Sequence, residues 1–161
     1  MELVADANVL IDYAKTDPSI LAIHVRHLGP IYVLSVILDE VDQLDVADCE
    51  HLGLMAIEEH PEILLAAAER RGPLSFEDRV CLLLARENHW TCVTNEKPLH
   101  RACEQEGVQS LWGLRLMINL VQARQLTRQN AMDIAQAIHE VNPCYVATEI
   151  LGRFEAELDV T

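Results

Sequence analysis

A chain of 161 residues carrying a formal charge of −14 is one ordinary domain's worth of protein, long enough to bury a real core. Half of its residues are hydrophobic but only 4% are aromatic, so the core has to be built from Leu, Val, Ile and Ala. The acidic balance counts against a broad nucleic-acid surface, which carries a basic footprint, and suits a cation site or a basic partner, although a local basic patch is compatible with it. No apolar run approaches the roughly 18 residues that span a membrane, since the longest candidate, Ile31 to Leu38, contains Ser35. Met1-Glu2-Leu3 lacks the basic start of a signal peptide. The five cysteines (Cys49, Cys81, Cys92, Cys103 and Cys144) form no Cys-x-x-Cys pair and mostly sit in apolar segments. They predict buried free thiols in a reducing cytoplasm, away from any membrane.

The predicted elements alternate. Leu3–Ala5 reads as a strand and residues 7–15 as a helix stopped near Asp17-Pro18. Residues 19–28 follow as a helix closed by Gly29-Pro30, then Ile31–Leu34 as a strand, Val36–Leu44 as a helix capped by Ser35, and Leu52–Ile57 as a further strand. Helices over Pro61–Arg71 and 76–88 precede a strand at Thr91–Val93, a helix at Pro98–Glu106 and a short strand at 108–111. Helices over 113–124, 128–141 and 147–158 complete the chain, with Asn142-Pro143 breaking the last two apart. There is no repeat, linker or low-complexity tract. Strand–helix alternation with short turns predicts an α/β protein, a small, mostly parallel sheet between two helical layers.

The polar residues that interrupt this pattern fall at strand ends and helix starts. Asp6 and Asn8 follow the first apolar run, where open α/β sheets place their chemistry; the same residue types also cap helices. Ile37, Val41 and Leu44 mark the buried stripe of the next core helix, and at about 100° per residue Glu40 falls inside it while Asp39 and Asp42 point away. A carboxylate there needs a partner, either Lys or Arg or a metal ion facing a cleft, because burying it unpaired is costly. Asp78 shares a face with Cys81, Leu82 and Ala85, opposite Arg79 and Arg86, while Ser75-x-x-Asp78 also has the form of a capping box. Thr94-Asn95-Glu96-Lys97-Pro98 brings a hydroxyl, an amide, a carboxylate and a lysine to another strand end, and reads equally as a turn into a helix opened by Pro98. Acids brought together from such positions suit Mg²⁺ or Mn²⁺, which prefer oxygen ligands and make crowded anions tolerable. The histidines, His24, His27 and His100 among them, show no ligand pattern and read as packing or surface residues.

With these residues assembled, the chain resembles the PIN-domain family of metal-dependent ribonucleases, in its VapC-like form. The resemblance rests on Val4-Ala5-Asp6-Ala7-Asn8, Leu38-Asp39-Glu40-Val41, Leu74-Ser75-Phe76-Glu77-Asp78 and Val93-Thr94-Asn95-Glu96-Lys97, in that order, followed by Leu99-His100-Arg101-Ala102-Cys103 and Glu106-Gly107-Val108. It implies a PIN-like three-layer αβα sandwich in a single domain, 1–161, with its core at 2–120 and a C-terminal helical extension at 125–161. It further implies Mg²⁺- or Mn²⁺-assisted hydrolysis of phosphodiester bonds in single-stranded RNA. In that reading Asp6, Glu40, Asp78 and Glu96 are the catalytic, metal-holding acids, and Asn8 and Thr94 orient them. Asn95 is a substitute oxygen ligand, and Arg79, Arg86, Lys97 and Arg101 are candidates for RNA phosphate. The family's last acid is usually Asp; Glu96, a methylene longer, shifts the geometry there. A role as the toxin of a toxin–antitoxin pair, with an antitoxin protein as partner, belongs to the same resemblance.

Two other readings use the same residues. One is a PIN fold kept as a catalytically weak binding module, for which Glu96 and the −14 charge argue. The other is a haloacid-dehalogenase-like phosphatase with Asp6 as nucleophile, against which Asn8 counts, because that family places an aspartic general acid there. Finally, Leu116, Leu120, Ile134, Ile138, Ile150, Leu151, Phe154 and Leu158 form apolar stripes beyond what a PIN core needs. They predict either a homodimer face or packing within the chain.

Overall fold

Three short apolar runs become the centre of the sheet. The computed structural model describes residues 1–161 and contains five strands: β1 (Leu3–Ala5), β2 (Ile31–Leu34), β3 (Met55–Ile57), β4 (Thr91–Val93) and β5 (Ser110–Leu111). All pairings are parallel, in the order β3-β2-β1-β4-β5. β1 is buried throughout, as is β4. That is why both read as unbroken apolar or β-branched runs: a parallel strand covered on both faces leaves no polar alternation. Leu3 pairs with Ile31 on one side and Thr91 on the other, and Ala5 with Val93, so the carboxyl ends of β1 and β4 lie side by side.

Ten helices connect and cover the strands: α1 (Ala7–Thr16), α2 (Ser19–His27), α3 (Ser35–Leu38), α4 (Val46–Leu52), α5 (Pro61–Glu69), α6 (Phe76–Asn88), α7 (Lys97–Gln105), α8 (Arg115–Gln122), α9 (Arg128–Val141) and α10 (Thr148–Asp159). Their contacts divide them into two groups. In one, α1 touches α2 and α9, while α2 also touches α4 and α8; in the other, α6 lies between α5 and α7. Right-handed crossovers running outward from β1 in opposite directions put the two groups on opposite faces. The result is the three-layer α/β arrangement, with an all-parallel sheet.

The largest departure from the sequence expectation lies between residues 36 and 57. The expected helix over Val36–Leu44 stops at Leu38, and the expected strand over Leu52–Ile57 is confined to Met55–Ile57, with α4 inserted before it. The chain contains no Lys or Arg between Arg26 and Arg70, and Asp39, Glu40, Asp42 and Asp45 follow one another closely. Acids crowding a helix C-terminus oppose its dipole and have no cation a turn away to relieve them. Asp45 instead opens α4 in a reciprocal capping box, accepting from Asp48 N at 2.8 Å while the Asp48 carboxylate accepts from Asp45 N at 3.0 Å.

The apolar stripes of the C-terminal segment are covered within the chain. Leu116, Leu120, Ile138, Leu151, Phe154 and Leu158 are buried, and Ile134 and Ile150 are half-buried against the same core. α9 lies on α1, and α10 on α8 and α9. Cys49, Cys81, Cys92 and Cys103 are buried and Cys144 is exposed. No helix is long and apolar enough to cross a membrane.

Candidate active site

The strand order reverses direction at β1: the chain moves to β2 and β3 on one side, then returns to β4 and β5 on the other. Carboxyl strand ends at such a switch point diverge and leave a crevice. Asp6 leaves β1 into this crevice and Thr94 to Glu96 leave β4 beside it. α6 opens on the same side, its first turn fixed by Ser75, whose Oγ accepts from Asp78 N at 3.1 Å. Only half of the expected capping box forms at Ser75, since the cap bond there runs from the Asp78 amide and leaves its side chain to the crevice. The resulting cleft has a volume of about 420 Å³ and is lined by Asp6, Asn8, Glu40, Ser75, Asp78 and Glu96, with Ile11, Ile37 and Pro73 among its apolar walls.

Carboxylate oxygens of Asp6, Asp78 and Glu96 lie within 4.8 Å of one another. Asp6 is 2% exposed and Asp78 7%, so two of these charges have little water around them. Each acid is oriented by its neighbours. Asp6 Oδ1 accepts from Val9 N at 3.0 Å, capping α1, and Oδ2 accepts from the fully buried Thr94 hydroxyl. Thr94 Oγ1 in turn accepts from Glu96 N at 3.1 Å, and Asn8 Nδ2 donates to Glu96 Oε1 at 3.0 Å. Thus a cap residue and a chemical group are the same side chain at Asp6. Burial raises the Asp6 carboxyl to about 6, against the Thr94 and Val9 hydrogen bonds that favour its charge, with Glu96 and Asp12 adding repulsion. Asp78 is pushed further, to about 8, by burial and then by Glu96 and Asp6. Three converging acids, two of them reluctant to ionise side by side, form a donor set that fits a hard divalent cation: oxygen ligands only, and an excess of negative charge that a cation relieves.

The remaining candidates are placed differently from one another. Glu40 lines the cleft but stands outside the close trio; it sits in an exposed turn beyond α3, so the expectation of a carboxylate on a buried helical stripe is corrected. Partial burial and the proximity of Glu77 and then Glu96 still raise its carboxyl. Asn95, expected as a spare ligand, turns away: its Nδ2 donates to Asp12 Oδ2 at 3.3 Å and its Oδ1 accepts from Gly113 N at 2.9 Å. A Cβ on Gly113 would lie 3.0 Å from that Oδ1, so any larger residue would push the Asn95 side chain aside by a few tenths of an ångström. Arg86 and Arg70 both bind Glu106, at 2.6 and 2.8 Å. Arg79 shares a shallow pocket with Arg70, Arg71 and Gly72, across the turn from Pro73 and the acids. Lys97 lines a separate groove that meets the cleft at Glu96 and Pro98, and Arg101 is exposed and lines neither.

Sequence reasoning passed over Asp12. It is buried on α1, where its Oδ1 accepts from Asn142 Nδ2 at 2.9 Å. The signal was available: at about 100° per residue Asp12 falls about 60° from Val9, at the edge of the buried stripe of α1. Burial raises its carboxyl to about 6, while Asn142, Lys15 and Asn95 pull the other way.

No family model matches the chain, and no curated protein matches it in sequence. Among solved structures it is similar to a PilT N-terminus domain protein from the hyperthermophilic archaeon Sulfolobus solfataricus P2. That likeness has a TM-score of 0.52 at 10% identity and covers 74% of this chain and 92% of the other. The fold is PIN-like. At this identity the likeness concerns the path of the backbone alone.

Proposed function

We propose that this protein is a divalent-metal-dependent hydrolase that cleaves phosphodiester bonds in single-stranded RNA. The observation that carries the reading is the convergence of Asp6, Asp78 and Glu96 at the switch point of a PIN-like sheet, each acid arriving from a different element. Asp6, Asp78 and Glu96 would hold the ion, with Glu40 at the mouth of the same cleft. Bound there, Mg²⁺ or Mn²⁺ supplies neutralising charge for the phosphate and acidifies a water. The chain's own residues do the positioning. Thr94 fixes Asp6 and the backbone of Glu96 together, and Asn8 fixes the Glu96 carboxylate, so the acids are held by neutral donors that add no competing charge. Phosphate approaching without a cation meets carboxylates alone and is repelled, so RNA binding is weak in the absence of metal.

Calorimetric titration of Mn²⁺ into wild type and Asp6→Asn tests the shared site, and equal binding in both would sink it. Cleavage of varied single-stranded RNAs in Mn²⁺ tests the activity. A VapC-like toxin role rests on the resemblance of the motifs, and is checked by whether a small protein encoded beside the gene binds this chain and suppresses cleavage.

A further inference from the structure

We propose that the groove adjoining the acidic cleft is a base-stacking subsite for the single-stranded RNA, built on Trp112 and Tyr145; this rests on the RNA-cleaving reading above. The groove has a volume of about 880 Å³ and shares Glu96 and Pro98 with the cleft, so a strand threaded over the acids enters it directly. The chain has seven aromatic side chains of the Phe, Trp and Tyr types, and the two that are exposed, Trp112 at 44% and Tyr145 at 41%, both line this groove. Exposing flat apolar rings to water is unfavourable unless something covers them.

Trp112 is also held ready. Its ring lies 3.8 Å from that of His100 at an angle of 33°. His100 is itself locked through both ring nitrogens, Nδ1 to Ser110 Oγ at 2.7 Å and Nε2 to the Thr94 carbonyl at 2.8 Å. The Trp112 ring therefore rests on a fixed backing ring connected through Thr94 to the acid trio. A rigid indole gives a base a surface without the entropy of ordering it.

Charge selects the occupant. Lys97 and Arg153 line the groove and form no ion pair, whereas Arg115 is held by Glu157 at 2.7 Å. A mainly apolar protein partner would bury those two cations unpaired, which is costly. A nucleic-acid strand instead offers bases to the rings and phosphates to the cations. In a chain of charge −14 this groove balances Lys97, Arg115 and Arg153 against Glu96, Glu149 and Glu157, so a polyanion meets no net repulsion there.

The test uses the full chain carrying Trp90→Phe, which leaves Trp112 as its only indole. Stopped-flow mixing with a short oligouridine in Mn²⁺ reads indole quenching before turnover, beside an abasic ribose-phosphate oligomer of the same length. Oligouridine is expected to quench Trp112 and the abasic oligomer to leave it unchanged. In the otherwise wild-type chain, Trp112→Ala is expected to weaken oligouridine binding by roughly 5- to 150-fold, the range for one stacked base, with Trp112→Phe recovering most of it and Mn²⁺ affinity unmoved. Equal binding of the abasic oligomer, or unchanged affinity in Trp112→Ala, overturns the proposal. So does a dimer in light scattering that Trp112→Ala dissociates while oligouridine leaves the indole untouched, for then a second copy covers the groove. Quenching without cleavage keeps the stacking site and removes the hydrolase; cleavage by Trp112→Ala at the wild-type KM does the reverse.

Discussion

Asp6 and Asp12 lie less than two helical turns apart on the same stretch of chain, both buried and both raised to about 6 by that burial, yet their surroundings treat them in opposite ways. Each Asp12 oxygen accepts from a neutral side-chain amide, Asn142 on one and Asn95 on the other, and Asp12 stands outside the acid trio. Asp6 also has a donor for each oxygen, but two more acids stand within reach of the same point. The first arrangement is complete as it stands: it ties α1 to the turn after β4 and to the residue that ends α9. The second crowds carboxylates together, and either protons or a cation must relieve the charge. Burial and a raised pKa therefore do not by themselves separate a structural acid from a functional one; the identity of the groups around the remaining lone pairs does.

The widest separation between the two regions is expected in activity. Asp78→Ala and Asp6→Asn should each abolish Mn²⁺-dependent RNA cleavage in a gel or fluorescence assay, while Asp12→Asn, outside the trio, should retain it. Apo stability should hold or rise in Asp78→Ala, because a carboxylate leaves a repulsive cluster. Asn is the better replacement at Asp6, since it keeps an oxygen to cap α1, and losing that cap costs about 1 kcal/mol. Cleavage surviving Asp78→Ala would remove the trio from the mechanism.

The pH dependence of stability separates the regions next. A carboxyl whose pKa is raised by folding favours the folded state fully below the unfolded value, about 4, and that contribution is lost as pH rises through the folded value. Asp6 and Asp12 lose theirs between about 4 and 6, and Asp78 continues the loss to about 8. The Tm of the metal-free protein should therefore fall above pH 6.5, where Asp78 titrates; below that His24 and His100, lowered by burial from 6.5, act in the opposite sense. Saturating Mn²⁺ should flatten the upper part, where Asp78 titrates, and leave the Asp12 contribution below about 6 in place. A metal-free Tm that climbs between pH 6.5 and 8 would contradict the crowding of the acids.

How much of this was legible beforehand follows from what kind of information each feature needs. The central strands and α6 could be read because continuous burial and a clean helical period are properties of the local sequence; Ile31–Leu34, Thr91–Val93 and 76–88 emerge where the pattern puts them. Residues 36–57 could not, because the apolar period of Ile37, Val41 and Leu44 survives, all three buried, in a chain that has left the helix after Leu38. Asp6 and Glu96 are visible as polar residues at strand ends and Asp78 as one at a helix start, but their separation from Asn95 is not. Whether a side chain at a strand end points into the crevice or back toward α1 depends on partners such as Asp12 and Gly113, far away in sequence.

Asn142→Ala probes the completed region. Asp12 would keep Asn95 and lose its shorter contact, leaving a buried carboxylate half satisfied, at a cost of about 1–3 kcal/mol. For a chain of this size each kcal/mol moves Tm by about 2–4 °C, which calorimetry resolves, and Mn²⁺ affinity should be unchanged. We also expect one unfolding transition, with residues 125–161 melting together with the rest, because Asn142 joins the end of α9 to α1. A split transition in which only the C-terminal helices shift would mean that they fold as a separate unit.

The smallest effect is expected from Glu96→Asp, and it tests whether the charge of the trio or its dimensions matter. The Glu96 backbone is fixed by Thr94 at its amide, so shortening the side chain withdraws the carboxylate by about 1.5 Å, one C–C bond. It also lengthens the contact with Asn8, which now holds Oε1 at 3.0 Å. Charge is unchanged, and a divalent ion can accept the new position through a water. Activity should be preserved or raised, within a few-fold of wild type. Asn8→Ala should then cost less in Glu96→Asp than in wild type, since the contact it removes is already stretched. If Glu96→Asp and wild type both bind Mn²⁺ and neither cleaves any single-stranded RNA, the acids hold an ion without using it, and the fold serves as a binding module.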